Sequence, residues 1–454
     1  MDNSRAIEVK KEIFELGNRF RENNYIDMSK YTNFDVKRGL RNQDGTGVLA
    51  GLTRIGNVLG YYVQDGERFP MEGQLFYRGI EITELIDGFV AEDRFGFEET
   101  IYLILFGELP NREELDKFTL ILDDYREMPH RFTEDMILAA PSRDVMNKLA
   151  RSVLAMYSYD SDPDNNEYAE QLDKAMRLIA LCPVMVAHSF AAKKHYFDND
   201  SLYLHRPKPG LSMAENFLHS IRPDMHFTLD EARLLDLCLV LHAEHGGGNN
   251  SAFTCRVVSS SSTDIYSAIS AAVGSLKGPR HGGANIKVME MFNTIENHVR
   301  DWKDEDEVSS VLQRILRKEL GDGSGLLYGV GHAVYSLSDP RAEMLKKFAV
   351  TVAESKNMME ELELFQTVEK LAPEVLNKVR SEEKVYSSNV DFYSGFVHKM
   401  LNIPQELFTP LFAISRMVGW CAHRIEEVCN ANRIMRPAYK AVVETQSFIP
   451  LDNR

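Results

Sequence analysis

The chain has 454 residues, of which 44% are hydrophobic and 26% are charged, a composition typical of a soluble globular protein. At roughly 100–200 residues per domain, this length predicts two to four domains, of which we prefer two. The formal net charge of −16 argues against nucleic acid or an anionic membrane as a partner, because both require a basic face.

Cysteine usage indicates a reducing compartment, and hydropathy predicts neither a secretory signal nor a membrane span. The five cysteines lack CxxC spacing, and we interpret them as reduced core thiols: Cys182, Cys238, Cys255, Cys421 and Cys429. No apolar segment typical of a secretory signal follows Met1. The most apolar run, 178–190, is shorter than the ~20 residues that cross a bilayer. We therefore expect a cytoplasmic protein with no membrane partner.

Secondary-structure signals differ along the chain. Apolar residues recur at roughly helical spacing within 5–22, which predicts a docking or partner-facing helix. Glycines separate apolar runs between 48 and 82, which predicts a few short strands. Helical periodicity dominates afterwards, with a helix ending at Gly107 and a capping box at Thr228 that begins an apolar helix through His245. The predicted fold is all-α, mostly helical.

A breaker-rich turn at 276–285 places His281 among glycines, after a helix of small residues that predicts a close internal or subunit contact. A loop histidine can present a ring nitrogen to a ligand. It can equally be structural, and local composition leaves both interpretations open.

The sequence HAEH places His242 and His245 at the end of the apolar helix. Two histidines at this spacing can share a helix face, but HAEH is not HExxH and no Cys/His cluster completes four ligands. We predict no metal site. His245 is interpreted as a helix-end histidine that faces a ligand.

The segment GVGHAVY contains His332 and precedes Asp339, Pro340 and Arg341. A third glycine and a βαβ pattern are missing, so a dinucleotide-binding loop is not supported. Asp339 as N-cap and Pro340 at the next position place Arg341 in the first turn of a helix. A guanidinium there suits a carboxylate, and an exposed arginine is the alternative.

Two charged residues stand in apolar surroundings. Asp391 lies among aromatic residues, which would raise its proton affinity and suit a general base, although a turn or cap aspartate is the alternative. Arg416 lies within an apolar helix, where an unpaired charge is costly. We interpret Arg416 as an ion-pair partner or an anion ligand. Arg436, before Pro437, is a weaker candidate for the same role.

These clusters, in this order, resemble the citrate synthase family between about Gly47 and Lys440. The matching motifs are HxxHGGxN, KGPxHGGAN, GxGHxVY with DPR, NVDFYSG and FxxxRxxGW, and their combination is very specific. The resemblance implies an acyltransferase that condenses acetyl-CoA with oxaloacetate and hydrolyses the citryl thioester, with no cofactor. The alternatives are a 2-methylcitrate synthase that uses propionyl-CoA and a catalytically silent binding protein on the same fold.

The resemblance also implies individual roles. Asp391 matches the base, His281 matches the donor that stabilises the enol, and His332 matches the donor to the ketone. The positions that match ligands of the oxaloacetate carboxylates are His245, Arg341, Arg416 and, from the other subunit of a homodimer, Arg436.

For coenzyme A, the backbone at Leu326, Leu327 and Gly329 matches the segment that recognises adenine, and Lys384 matches a phosphate-contacting lysine. Two residues depart from the family pattern: Ser336 stands where many members carry a basic residue, and Arg280 stands where many carry leucine. The resemblance divides the chain into an N-terminal helical extension (1–45), a large helical domain (46–284 and 395–454) and a small helical domain (285–394).

Overall fold

The computed structural model describes residues 3–42, 44–430 and 433–453. The chain forms two compact units, Met1–Leu52 and Thr53–Arg454. The first unit contains α1 (Asn3–Asn24) and α2 (Met28–Asn33). The helix predicted within 5–22 is confirmed, and several of its large apolar side chains are exposed: Ile7, Ile13, Phe14, Leu16 and Phe20. Its role as a partner-facing helix stays a prediction.

The second unit begins with an antiparallel sheet in the order β1-β2-β3, formed by β1 (Gly56–Gln64), β2 (Glu67–Tyr77) and β3 (Ile80–Glu81). Alternate residues at the end of β2 face the core, so Leu75 and Tyr77 are fully buried. The Tyr77 hydroxyl donates to the Val240 carbonyl, 2.9 Å away. The predicted strands are confirmed, although β1 and β2, with 9 and 11 residues, are longer than expected.

The remainder of this unit is mainly helical, as predicted. The helices are α3 (Ile82–Ala91), α4 (Phe97–Phe106), α5 (Arg112–Tyr125), a π-helical turn (Thr133–Leu138), α6 (Val145–Ala155), α7 (Tyr168–Asp198), α8 (Met213–Ile221), α9 (Leu229–His242), α10 (Asn250–Ser259), α11 (Ile265–Leu276), α12 (Ala284–His298), α13 (Glu305–Leu316), α14 (Pro340–Ser355), α15 (Met359–Arg380), α16 (Val390–Met400) and α17 (Phe408–Asn430).

Helix ends follow the local signals of the sequence. Gly107 ends α4 in the left-handed conformation, at φ 88°. Thr228 and Glu231 form the predicted capping box of α9. The expected extension of α9 to His245 is wrong, because α9 ends at His242. The Tyr77 hydroxyl contacts the carbonyls of Val240 and Glu244 there, and these contacts compete with continuation of the helix.

The long helix α7 lies in the protein interior. By length and composition α7 could cross a membrane, but 78% of its most apolar window is buried within the protein. The apolar run 178–190 is therefore part of a longer helix that is mostly buried.

Helix α17 carries the buried arginine of the candidate site. It packs against α7, α9, α10 and α11, while α14 packs against α16. The Val390 amide at the start of α16 donates to the Asp339 carboxylate that caps α14, at 3.1 Å, so the N-termini of these two helices lie side by side. The division of this unit into a large and a small domain stays a prediction.

Candidate active site

Arg416 is a buried cation that lacks an ion-pair partner among the described residues. Its side chain is 1% exposed, its Nε donates to the His242 carbonyl at 2.7 Å, and its Nη1 and Nη2 have no hydrogen-bond partner in the described part of the chain. Burial lowers the pKa of Arg416 to about 10, so the guanidinium is still charged at neutral pH. Such a group is suited to an anion.

Asp391 lies in the first turn of α16, where the Asn389 side chain caps the helix by accepting the Asp391 amide. Its Oδ1 is buried and has no hydrogen-bond partner among the described residues. Burial raises the pKa of Asp391 to about 6, against the opposing charge of Arg341. A carboxylate with this pKa is a competent general base near neutral pH.

Asp339 joins the ends of two helices. The predicted N-cap of α14 is confirmed, and its carboxylate accepts the Arg341 Nε at 3.0 Å and the Arg341 Nη2 at 2.7 Å. It also accepts the amide of Val390, at 3.1 Å. Arg341 is only 3% exposed, so the alternative of an exposed first-turn arginine is wrong. Asp339 thereby links Arg341 to the helix that carries Asp391.

Two histidines and a tyrosine form an aromatic group beside these charges. The rings of His245 and His332 are 5.3 Å apart, and Tyr335 stacks on His332 at 4.7 Å. The Nδ1 of His332 accepts the amides of Val334 and Tyr335, so a neutral His332 carries its proton on Nε2. Burial and then the charge of Arg341 hold the pKa of His245 well below its usual range.

His281 lies on the turn between α11 and α12, as predicted, where its amide donates to the Gly278 carbonyl at 2.9 Å. Its Nε2 lies 3.0 Å from the Ser251 Oγ, which also accepts the Trp420 indole N–H at 3.1 Å. Burial, and then the charge of Arg416, lower the pKa of His281 to about 4. The imidazole is therefore neutral at pH 7.

The segment expected to bind coenzyme A runs beside the start of α16. Val330 and Ser388 form an isolated antiparallel bridge, and the Asn389 amide donates to the Gly329 carbonyl at 2.9 Å. A Cβ at Gly329 would lie 2.9 Å from the Phe392 Cα, so only glycine permits this close approach. This backbone is thus attached directly to the helix of Asp391.

The other residues expected to bind coenzyme A differ in exposure. Leu326 is exposed and Leu327 is buried, while Lys384 is exposed with its Nζ 5.2 Å from the centre of the Tyr386 ring. Arg436 is exposed on the irregular segment after α17. Its contribution to a second subunit stays a prediction.

The buried groups lie within electrostatic range of one another, and the Arg416 Cζ and the His281 ring lie 4.8 Å and 6.3 Å from the centre of the same Phe412 ring. The charge of Arg416 lowers the pKa values of His281, His245 and Asp391, and Arg341 acts on two of these groups. No group of three potential metal ligands exists in the residues that the structure describes. Cations, neutral imidazoles and a poised carboxylate can hold an anion and transfer a proton.

Several residues of the site were missed in the sequence. Tyr335 lies within the GxGHxVY motif, so its aromatic ring beside a glycine-flanked histidine was a usable signal. Ser251 and Glu244 contact His281 and His423 respectively, and no local pattern distinguishes them from other polar residues.

Fold and site together define a mostly helical enzyme whose buried cations, neutral imidazoles and carboxylate are suited to acid–base chemistry on an anionic substrate. The family model for the citrate synthase C-terminal domain matches residues 43–438. The citrate synthase of Haloferax volcanii is 33% identical over 425 residues, which cover 92% of this chain and 99% of that relative. The 2-methylcitrate synthase of Shewanella oneidensis is 31% identical over 84% of this chain and 92% of that relative. The chain belongs to the citrate synthase family.

Solved structures are similar over the same extent. Citrate synthase from Pyrobaculum aerophilum matches with a TM-score of 0.71 and 31% identity, covering 90% of this chain and 94% of its own. The ternary complex of Thermoplasma acidophilum citrate synthase with carboxymethyl coenzyme A and oxaloacetate matches with a TM-score of 0.75 and 25% identity. The match covers 92% of this chain and 99% of that chain.

Proposed function

We propose that the protein is an acyltransferase that condenses acetyl-CoA with oxaloacetate and hydrolyses the citryl thioester to citrate and coenzyme A. The observation that carries this proposal is the buried guanidinium of Arg416, whose two terminal nitrogens have no partner among the described residues. The charge of this guanidinium interacts electrostatically with an ionised Asp391. Membership of the citrate synthase family supports the same reaction.

In this proposal the cations bind the two carboxylates of oxaloacetate. Arg416 offers both Nη groups, and Arg341 is fixed by Asp339 so that its orientation does not depend on the substrate. His245, kept neutral by its low pKa, contributes a hydrogen bond instead of a charge. A site that is already ordered loses less entropy when the substrate binds.

The first chemical step is proton removal from the methyl group of acetyl-CoA. Asp391 takes the proton through Oδ1, while neutral His281 donates a hydrogen bond to the thioester oxygen, where negative charge develops. For His281 to donate through Nδ1, its Nε2 must accept the Ser251 hydroxyl proton. The Trp420 indole can only donate, so it occupies a lone pair of Ser251. The Asn249 Oδ1 also lies 2.9 Å from this hydroxyl, so the scheme requires the single Ser251 proton to turn from Asn249 to His281.

The enol carbon then attacks the ketone carbon of oxaloacetate. His332 donates a hydrogen bond from Nε2–H to the ketone oxygen as it becomes an alkoxide, because two backbone amides occupy its Nδ1. The alkoxide gains one proton in place of the one that Asp391 removed, so both side chains return to their starting states. Water cleaves the citryl thioester and releases the coenzyme A thiol. The backbone at Leu326, Leu327 and Gly329, together with Lys384, binds coenzyme A in this scheme.

Release of coenzyme A thiol, measured with acetyl-CoA and oxaloacetate together and with each omitted, tests this function. Both substrates should be required, and Asp391→Asn should lower kcat by about 10²–10⁴-fold while oxaloacetate still raises the melting temperature. Asp87→Asn, which changes an exposed carboxylate in α3, is the control. Binding of oxaloacetate without any thiol release from wild-type protein would instead indicate a silent binding protein.

A second candidate is 2-methylcitrate synthesis from propionyl-CoA, favoured by the similarity to the Shewanella oneidensis enzyme. One additional methylene changes discrimination by only ~1–3 kcal/mol, so the two substrates must be compared directly. The ratio of kcat/KM for acetyl-CoA to that for propionyl-CoA decides between them. A clear preference for propionyl-CoA would replace the first proposal.

We further propose that the protein works as a cytoplasmic homodimer in the tricarboxylic acid cycle, without a metal or other cofactor. Arg436 would then complete the oxaloacetate site of the other subunit. The exposure of Arg436 on an irregular segment supports this arrangement. Mixing inactive Arg436→Ala with inactive Asp391→Asn should restore activity in heterodimers if Arg436 acts between subunits.

A further inference from the structure

Glu244 is a fully buried carboxylate that the proposed reaction does not use. Its Oε1 accepts the His423 Nε2–H at 2.8 Å and the Gly246 amide, whereas its Oε2 has no partner among the described residues. A Cβ at Gly56 would lie 2.9 Å from the Glu244 Cγ, and a Cβ at Gly419 would lie 2.4 Å from its Oε2. The surrounding backbone is thus fitted to this side chain.

The orientation of His423 is determined from its other side. Arg256 directs Nε and Nη2 at the His423 Nδ1, at 3.1 and 2.7 Å. Because arginine can only donate, Nδ1 must accept and the proton of a neutral His423 must be on Nε2, facing Glu244. Arg256 is itself held by Glu427 at 2.8 Å and by Glu426. These residues form a chain of bonds that ends at the Glu244 Oε1.

Glu244 and Arg416 are opposite charges on either side of one glycine. The Cβ position of Gly419 is 2.4 Å from the Glu244 Oε2 and 3.4 Å from the Arg416 Cδ. Each charge favours the ionised form of the other. Even so, Oε2 of Glu244 and both Nη atoms of Arg416 have no hydrogen-bond partner among the described residues. The two side chains are close enough to interact electrostatically without forming an ion pair.

We infer that His423 is a positioning residue that restrains Glu244 from pairing with Arg416, so that the guanidinium stays available to the substrate. This inference rests on the proposed function, because it takes oxaloacetate as the anion that Arg416 binds. In the resting enzyme Glu244 offsets part of the charge of Arg416. The bond from His423 prevents the same carboxylate from occupying the place of a substrate carboxylate.

Removal of the His423 bond should make the protein inhibit itself. In His423→Leu, Arg256 keeps Glu426 and Glu427, whereas Glu244 keeps only the Gly246 amide and can rotate towards Arg416. The KM for oxaloacetate should rise at least about tenfold, since a charged hydrogen bond contributes roughly this factor in affinity. The kcat at saturating oxaloacetate should change less, because the substrate displaces Glu244.

The double variant Glu244→Gln/His423→Leu distinguishes restraint from general damage. Glutamine has no charge to pair with Arg416, so the KM for oxaloacetate should return to within about threefold of the wild-type value. If the KM of the double variant stays as high as that of His423→Leu, the inference is wrong. An unchanged KM in His423→Leu would also overturn it.

Glu244→Gln alone tests the inference even if His423→Leu does not fold. Restraint predicts a KM for oxaloacetate equal to or below that of wild type, because a competing carboxylate is removed. If Glu244 instead orients Arg416 for binding, the KM should rise, and that result would refute the inference. A failure of wild-type protein to release thiol from acetyl-CoA and oxaloacetate would contradict the proposed function, which these variants do not test.

Discussion

Replacement of Arg416 should stabilise the unliganded protein while it removes substrate binding. A pKa lowered from 12.5 to about 10 means that the folded interior disfavours the charged guanidinium by about 3 kcal/mol. The change Arg416→Met removes this penalty and keeps most of the side-chain volume. It also removes the cation that favours ionised Glu244 and the bond to the His242 carbonyl. We therefore expect a net stabilisation of about 1–2 kcal/mol.

Urea unfolding of wild-type and Arg416→Met protein, with and without oxaloacetate, measures both effects. The variant should unfold at higher urea without ligand, and oxaloacetate should stabilise only the wild type, because ligand binding shifts unfolding by mass action. Arg233→Met, which changes a partly exposed arginine paired with Asp93, is the control and should retain the ligand effect. Lower stability of unliganded Arg416→Met would refute the reasoning that Glu244 and the His242 carbonyl compensate only part of the cost of burying the guanidinium.

Three further predictions concern the reacting groups. The kcat/KM should fall as pH decreases through about 6, because the pKa of Asp391 is raised to about 6 and a protonated carboxyl cannot accept the proton; a flat profile would exclude this base. Asp339→Asn should move this acidic decline of kcat/KM to lower pH, since the charge of Asp339 raises the pKa of Asp391. The same variant should raise the KM for oxaloacetate, because Asp339 no longer holds Arg341 in place. If the acidic decline does not move, Asp339 affects only the KM for oxaloacetate and not the pKa of Asp391. Ser251→Ala should lower kcat about tenfold through His281, and a change in KM alone would contradict that role.

Short-range signals predicted the elements that present the site. The N-cap of Asp339, the first-turn position of Arg341 and the turn of His281 all depend on neighbours within a few residues. Backbone capping and turn chemistry are local, so a single sequence contains them. The boundary of α9 was wrong because Tyr77, from a distant strand, contacts its last turn.

Pairings between distant segments could not be predicted. Glu244 and His423 are 179 positions apart, and Ser251 and His281 are 30 apart. Such contacts depend on how helices pack, and no periodicity in one segment specifies the partner in another. The same limit applied to Arg416, for which the local sequence left an ion pair and an anion ligand open.

Gly419 has a consequence for efforts to make the protein more thermostable. A glycine inside a helix costs roughly 1 kcal/mol relative to alanine, which makes helical glycines attractive targets for engineering. At Gly419 a Cβ would lie 2.6 Å from the Ala243 carbonyl oxygen, so alanine would separate α17 from the chain after α9. At Gly88 in α3, the corresponding point has no atom within 4 Å apart from its chain neighbours and the backbone of its own helix. A screen that ranks positions by helix propensity alone would treat both glycines alike, although only Gly88 can be changed without displacing its surroundings.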